Sequence, residues 1–391
     1  MFSSTKVFMA TKPPYGKLYA WGHDGDGALG LGEDSPIGSP ARQLTPARVG
    51  SDDWLDIGAG WSHSMAIRRD GKLFAWGDNV SWQFGAFQIG IVPIDDIVTG
   101  SNSPLQIGNE SWSRVACGEG HTLAIRADGS LFAWGMNNYG QIGDGTAEGN
   151  RQPFMVRQGI VGFEMEAVAA GQWHSLASRW SSFKAWGKSG NGQLGIGAIP
   201  EYVGTPRLQA TPEDVHFVSN PKVIAAGGEN SAAIDSSGYL YVWGLNNFGQ
   251  VGDGTWMGEN AAKYSPVKIG NEKWKAVSCG TNFFTAAIRA DGKLFSWGQR
   301  QYPFGAGSAE MVPKQIGNDN WSSVSCGWDH ALAIREDGLL FAWGYNSDGQ
   351  LGDGTTVNKD ITDGAMPVQI GTGRWKKVCC GNHFSLGIRD E

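Results

Sequence analysis

Residues 324–344 read VSCGWDHALAIREDGLLFAWG, and residues 115–135 repeat the phrase as VACGEGHTLAIRADGSLFAWG. A shorter copy, HSMAIRRDGKLFAWG, occupies 63–77. Runs such as Leu123-Ala124-Ile125-Arg126 and Leu131-Phe132-Ala133-Trp134 are short, rich in β-formers and bounded by turn residues, so each predicts a strand. Asp128-Gly129 lies between them, with Asp70-Gly71, Asp291-Gly292 and Asp337-Gly338 in the other copies. Asp-Gly between apolar runs predicts a hairpin, read here as a type I′ turn with two positive-φ residues. Trp-Gly closes the phrase seven times, at Trp21, Trp76, Trp134, Trp186, Trp243, Trp297 and Trp343, 46 to 58 residues apart. A period of this size marks a radial repeat.

Two more phrases complete the unit. NNYGQIGDGT (137–146), NNFGQVGDGT (246–255) and NSDGQLGDGT (346–355) are turn-rich; SPLQIG (103–108), SPVKIG (265–270), VPKQIG (312–317) and MPVQIG (366–371) follow. The proline of the last phrase suits an edge strand or strand start. A strand from Trp112 to Gly118, or Trp321 to Gly327, supplies the remaining member. Six units run about 51–108, 109–159, 160–220, 221–270, 271–317 and 318–371. The remainder, 372–391, is the first half of a unit, and 1–50 supplies the second half. The expected fold is all-β: a single seven-bladed β-propeller over 1–391, with four-stranded antiparallel blades and N- and C-terminal strands sharing one blade. Closure of this kind removes free sheet edges.

A chain of 391 residues buries roughly 75% of its unfolded surface, so neither metal nor disulfide is required. The net charge of −7 without a basic run argues against free nucleic acid or an anionic membrane as general partner. No apolar stretch reaches the length of a membrane span, and MFSSTKVFMATKPPYG lacks the pattern of a signal peptide. A cytoplasmic or virion-associated protein is the expectation. Cys117, Cys279, Cys326 and Cys380 fill one repeat position and are expected to face apart, as small buried hydrophobes.

Several chemical motifs fail on context. Gly25-x-Gly27-x-x-Gly30 and Gly190-x-Gly192-x-x-Gly195 have no helix pattern after them and so read as turns, not dinucleotide cradles. Cys117 with His121, and Cys326 with His330, belong to different units and complete no four-ligand site. His63, His121, His174 and His330 follow the repeat glycine, where Asn230, Phe384 and Phe283 stand elsewhere. A position that accepts Phe reads as packing. Asp24, Asp26 and Glu33 miss a calcium loop because Ala28 takes the third oxygen position. Gly-Asp-Gly-Thr reads as a turn whose Asp caps nearby N–H groups. No Ser/His/Asp or Cys/His grouping stands outside the repeat, so no catalytic, cofactor or metal residue is assigned. The breaks in the repeat, at 78–103, 198–220 and 299–307, are apolar and aromatic, which suits protein contacts.

In order and repeated, Cys-Gly-x-x-His-x-x-Ala-Ile, Asp-Gly, Phe-Ala-Trp-Gly and Asn-x-x-Gly-Gln-Leu-Gly-Asp-Gly-Thr resemble the regulator of chromosome condensation repeat family over essentially the whole chain. The Pro-Val-Gln-Ile-Gly linker looks most like bacterial and bacteriophage members. The resemblance implies a seven-bladed propeller closed by both termini, but the fold does not select one function. The expectation is a non-enzymatic scaffold that binds protein partners through one face, with Trp61, Trp173, Trp328, Trp82 and Phe84 as contact residues. A subunit of a larger assembly such as a phage particle is one form of it. The family also implies two alternatives. One is nucleotide exchange on a Ran-type GTPase. The other is a tryptophan-based ultraviolet photoreceptor, to which Gly60-Trp61-Ser62-His63-Ser64 and Gly327-Trp328-Asp329-His330-Ala331 are similar without its arginine.

Overall fold

The computed structural model describes residues 15–32, 41–85, 99–148, 165–197, 208–217, 219–256, 262–299, 309–361 and 366–391. Among them the long regular elements are strands, paired antiparallel. The N-terminal pair is β1 (Lys17–His23) and β2 (Arg42–Arg48). The first unit is β3 (Trp54–Ala59), β4 (His63–Arg68), β5 (Leu73–Asp78) and β6 (Gly100–Ile107). The second has β7 (Trp112–Cys117), β8 (His121–Arg126) and β9 (Leu131–Gly135); the strand expected to end it falls outside the described residues. The third is β10 (Ala167–Ala170), β11 (His174–Arg179), β12 (Ser182–Lys188) and β13 (Leu208–Asp214). The fourth opens with β14 (Pro221–Ala226), β15 (Asn230–Asp235) and β16 (Tyr239–Gly244). The long β17 (Lys263–Cys279) ends the fourth unit and begins the fifth, which continues with β18 (Phe284–Arg289), β19 (Leu294–Gly298) and β20 (Glu310–Ile316). The sixth is β21 (Trp321–Cys326), β22 (His330–Arg335) and β23 (Leu339–Gly344); β24 (Val368–Cys380) ends it and pairs onward with β25 (Phe384–Arg389).

β25 lies between β24 and β1. Tyr19 opposes Gly387 and Leu18 opposes Ile388, so strands from both ends of the sequence share one sheet. The first strand of each unit packs on that of the next: β3 on β7, β7 on β10, β10 on β14, β14 on β17, β17 on β21, β21 on β24, and β24 on β3.

Trp-Gly recurs because the two residues do different jobs. The indole fills the core between units, with Trp21, Trp76, Trp186, Trp243 and Trp343 fully buried. The glycine makes a bulge at φ between +92° and +107° (Gly77 and Gly344), where the ladder between the third and fourth strands slips. A Cβ on Gly244 would sit 2.5 Å from the Glu229 carbonyl, so only glycine fits. A second tryptophan begins most first strands. Trp54, Trp112, Trp274 and Trp321 meet Phe74, Phe132, Phe295 and Phe341 edge-on, with ring centroids 5.2–5.3 Å apart. An arginine lies over each phenylalanine: Arg68, Arg126, Arg289 and Arg335 at 4.2–4.9 Å.

Three sequence readings need correction. The Asp-Gly hairpins are not type I′. Only the glycine has positive φ (Gly71 at 87°, Gly129 at 86°), and Arg68 N–H reaches the Lys72 carbonyl across a three-residue loop. Asp70 stays right-handed because its carboxylate accepts from the Lys72 N–H (3.1 Å) and pairs with Arg68 (2.7 Å). Next, Phe283 is the inserted residue, at φ 61°, and Phe284 holds the histidine position, opposite Gly298. Finally, the repeat cysteines do not face apart. Each ends a first strand, so Cys117, Cys279, Cys326 and Cys380 line one axial pocket, and all five thiols are free.

Candidate partner-binding face

Each unit is an antiparallel ladder, so its first and third turns emerge at one end and its Asp-Gly turn at the other. The first turn follows the repeat glycine. Its opening residue is Trp61, Glu119, Gln172, Gly228, Thr281, Trp328 or Asn382 in successive units. The third turn is the Gly-Gln-Leu-Gly loop. These two turns build one face.

Below that face, a hydrogen-bond latch joins neighbouring units. The Gln83 carbonyl of the first unit accepts from both Thr122 Oγ1 (2.9 Å) and Trp134 Nε1 (2.7 Å) of the second. His63 of the first unit places Nε2 3.2 Å from the same hydroxyl. The hydroxyl has spent its one proton on the carbonyl, so the imidazole donates from Nε2 and Nδ1 is bare. Gln141, Gln193, Gln250 and Gln350 repeat the pattern with Ser175, Ser231, Thr285 and Ser385, and with Trp186, Trp243, Trp297 and Trp21. His121, His174 and His330 each reach a serine hydroxyl at 2.8–3.0 Å, and Asn230 reaches Thr285 at 3.2 Å. Ala28 serves Ser64 and Trp76 across the junction from the terminal unit to the first. The junction from the fifth unit to the sixth departs: Phe284 replaces the histidine, Ala331 the hydroxyl, and Trp343 Nε1 has no partner among the described residues. Burial holds the pKa of His63, His174 and His330 down to about 3 and that of His121 to about 4. These histidines are neutral structural links.

Glycine is required where the latch meets the axis. A Cβ on Gly118 would lie 2.5 Å from the Gly171 carbonyl of the next unit, and one on Gly227 would lie 2.5 Å from the Gly280 carbonyl. Backbone bonds cross between units at the same level: Gln172 N–H to Gly227 O (3.0 Å), Thr281 N–H to Gly327 O (3.0 Å) and Asn382 N–H to Gly60 O (3.2 Å).

Above this floor lie the expected contact residues. Trp61 and Trp328, from units separated by the terminal one, meet at 5.5 Å; Trp328 then meets His383 edge-on at 4.9 Å. Asp348 holds Arg42 at 3.1 Å and lies 3.8 Å from His383. Trp173 packs on Tyr139 at 5.5 Å with the Lys188 ammonium 4.0 Å over its ring, and Lys188 pairs with Glu229. Trp61, Trp173, Trp328 and Trp82 are all partly exposed. Trp82 sits at φ 62° beside Phe84. Phe84 itself must be struck from the contact set. It is fully buried at the leucine position of the Gly-Gln-Leu-Gly loop, packed with Trp112 and Trp134. Burial raises the carboxyl pKa of Glu119, against hydrogen bonding from Gln172, the Lys188 charge and hydrogen bonding from Trp173; burial raises that of Asp329 too, against the Asn282 amide. Sequence reasoning missed the carboxylates Glu119, Glu229 and Asp329, whose signal was their place in the same turn as the tryptophans. On the opposite face Trp180 stands 66% exposed at φ 45° in a two-residue turn.

Among the described residues no group of three or more His, Cys, Asp or Glu could hold a metal ion, and no helix is long and apolar enough to cross a membrane.

The chain is 31% identical over 292 residues to the Ultraviolet-B receptor UVR8 of Arabidopsis thaliana, covering 72% of this chain and 61% of the receptor. It is 29% identical over 271 residues to the E3 ubiquitin-protein ligase HERC2 of Homo sapiens, covering 68% of this chain and 5% of the ligase. The chain thus spans less than two thirds of either relative. The structure of human WBSCR16 superimposes with a TM-score of 0.79 at 21% identity, covering 96% of this chain and 99% of that one. Prp20p of Saccharomyces cerevisiae does so with 0.78 at 20%, covering 98% and 93%. At these identities the likeness shows the fold, a β-propeller. The regulator of chromosome condensation (RCC1) repeat matches 274–302 and 321–350, and a second description of it matches 291–334 and 337–388. Because the RCC1-like domain also matches residues 5–282, the chain belongs to the RCC1-like family.

Proposed function

We propose that this chain is a non-enzymatic protein-interaction module. In this reading residues 1–391 form one propeller of seven blades, and β1, β2, β24 and β25 make the blade that closes it. Two observations support closure: β24 packs back on β3, and Asn382 donates across that junction to Gly60. The partner surface is the face that carries Trp61, Trp82, Trp173 and Trp328.

One observation carries the functional reading. Trp61 and Trp328 occupy a turn position that other units fill with Glu, Gln, Gly, Thr or Asn, so the repeat does not need tryptophan there. Large partly exposed rings without a structural task are hallmarks of binding hot spots. Glu119 and Asp329, carboxylates in the same turns without an ion-pair partner among the described residues, favour a partner with a basic patch. Family relatives supply precedent: Prp20p has been studied for binding to Gsp1p and histones, and yeast RCC1 (Prp20) has been solved bound to Kap60. The ligase activity named for HERC2 gains no support, since only 5% of that protein is matched. Nothing in these relatives supports the bacteriophage likeness or a virion role. Exchange on a Ran-type GTPase stands level with a passive scaffold, because either uses a propeller face.

The paired substitution Trp61→Ala/Trp328→Ala is expected to cut capture of the specific partner at least tenfold, while Trp180→Ala on the opposite face leaves it unchanged. Quantitative mass spectrometry of cross-linked complexes from the source cells reads both. Equal capture by all three proteins removes this face from the reading. If the captured protein is a small GTPase, its nucleotide-release rate with and without the propeller separates exchange from scaffolding.

A further inference from the structure

The axial pocket opens beside Trp61 and has a volume of about 80 Å³. Trp61, Glu119, Gln172, Thr281 and Asn382 line it above the ring of cysteines. Two of its oxygens are unpaired. Glu119 Oε2 and Asn382 Oδ1 are both buried, and neither has a hydrogen-bond partner among the described residues. Asn382 is only 9% exposed, although its backbone N–H is satisfied by Gly60. Buried acceptors left bare are unfavourable, and a carboxylate oxygen most of all. No lysine, arginine or histidine lines the pocket; the Lys188 charge reaches Glu119 from outside it, and Lys188 is itself paired with Glu229. Burial keeps the surrounding thiols protonated: the pKa of Cys326 is pushed up to about 12. What the two bare oxygens lack is a donor, and one of them belongs to a carboxylate.

We propose that this pocket receives the ammonium of a lysine side chain presented by the protein partner. An ammonium brings three N–H donors, enough to serve both Glu119 Oε2 and Asn382 Oδ1, and the Trp61 ring in the same lining favours a cation. A planar guanidinium demands a paired, fork-like acceptor set, whereas the two bare oxygens here come from different units. The volume admits the end of one such side chain or a few waters. The inference rests on the face proposed above and names the chemistry that face would grip.

The probe is the tripeptide acetyl-Gly-Lys-Gly-amide, with its lysine-acetylated counterpart and n-butylammonium as comparisons, followed by ligand-observed NMR on the full chain. The lysine peptide and n-butylammonium are expected to bind in the millimolar range. Lysine acetylation or Glu119→Gln should weaken peptide binding at least tenfold. Asn382→Asp, which adds a second carboxylate, should tighten it severalfold, and such a gain cannot arise from misfolding. Equal binding of the acetylated peptide, indifference to Glu119→Gln in a protein with an unchanged melting midpoint, or displacement by an equal concentration of KCl would each overturn the proposal. If Trp61→Ala/Trp328→Ala abolishes partner capture while Glu119→Gln leaves lysine binding unchanged, the lysine socket falls and the face survives. Loss of neither sinks both.

Discussion

Gly118→Ala is expected to lower stability by about 3 kcal/mol, a large effect for one methyl group. Gly118 does not adopt positive φ, so the cost is steric rather than conformational. The added Cβ meets the His121 ring on one side and the Gly171 carbonyl of the next unit, at 2.5 Å, on the other. A side chain can rotate away; a carbonyl held in an inter-unit contact cannot move without parting two blades. Gly371 supplies the control. It lies at φ 59°, and a Cβ there would have nothing within 4 Å, so alanine meets only the left-handed backbone penalty, about 1 kcal/mol. Urea midpoints of the two variants should therefore separate widely. A Gly118→Ala loss no larger than that of Gly371→Ala would mean that the blades have room to relax at the axis.

The second large effect is an acid-side loss of stability driven by the latch histidines. His63, His121, His174 and His330 start from an ordinary pKa of 6.5 and are held at about 3 to 4 in the fold. Below pH 6.5 the unfolded chain takes up protons that the folded chain refuses. Stability is therefore full above pH 6.5 and falls as the pH drops toward 4. Each histidine contributes a slope of about 1.4 kcal/mol per pH unit, and four together on the order of 5. Aspartates such as Asp70, Asp128 and Asp337, lowered from 3.8 by hydrogen bonds to arginine or backbone groups, add their loss only below that range. Glu119 and Asp329, raised by burial, oppose the trend weakly. The urea midpoint should fall steeply between pH 6.5 and 5. His121→Asn, the residue the chain itself uses at Asn230, should flatten the slope by one proton. A midpoint flat from pH 7 to 5 would show that these rings are charged or solvated in the fold.

The strand pattern and the joining of the two chain ends were legible because short-range chemistry sets them. Trp-Gly marks the period, Asp-Gly a hairpin, and a half unit at each end predicts the β1–β25 pairing, which the sheet contains. The turn type was misjudged because Asp-Gly serves two hairpin geometries, and the choice depends on the loop of three rather than on the dipeptide. Phe84 was misplaced although Trp82-Gln83-Phe84-Gly85 runs in register with Gly-Gln-Leu-Gly; its aromatic character outweighed its position. The cysteines were expected to face apart because they belong to different blades, whereas a radial repeat brings equivalent strand ends to one axis. The latch was hidden because its members, His63, Gln83 and Thr122, sit in different phrases of adjacent units. One trace was visible. Ser or Thr follows the histidine position in six units, and Ala331 is the exception, next to the unit that carries Phe284. Exposure of Trp61, Trp173 and Trp328 was foreseeable from their turn position; the unpaired oxygens of Glu119 and Asn382 were not, since their environment comes from several units at once.

Rigidity of the face depends on the closing sheet, and amide hydrogen exchange measures it directly. If β1 and β25 knit the ring, the amides of Ala20 and Leu386 exchange only through global unfolding, as slowly as those of β15 in the middle of the chain. Exchange of Ala20 and Leu386 orders of magnitude faster than Ala232 and Ala233, under conditions where β15 stays protected, would contradict a closed ring and the scaffold built on it.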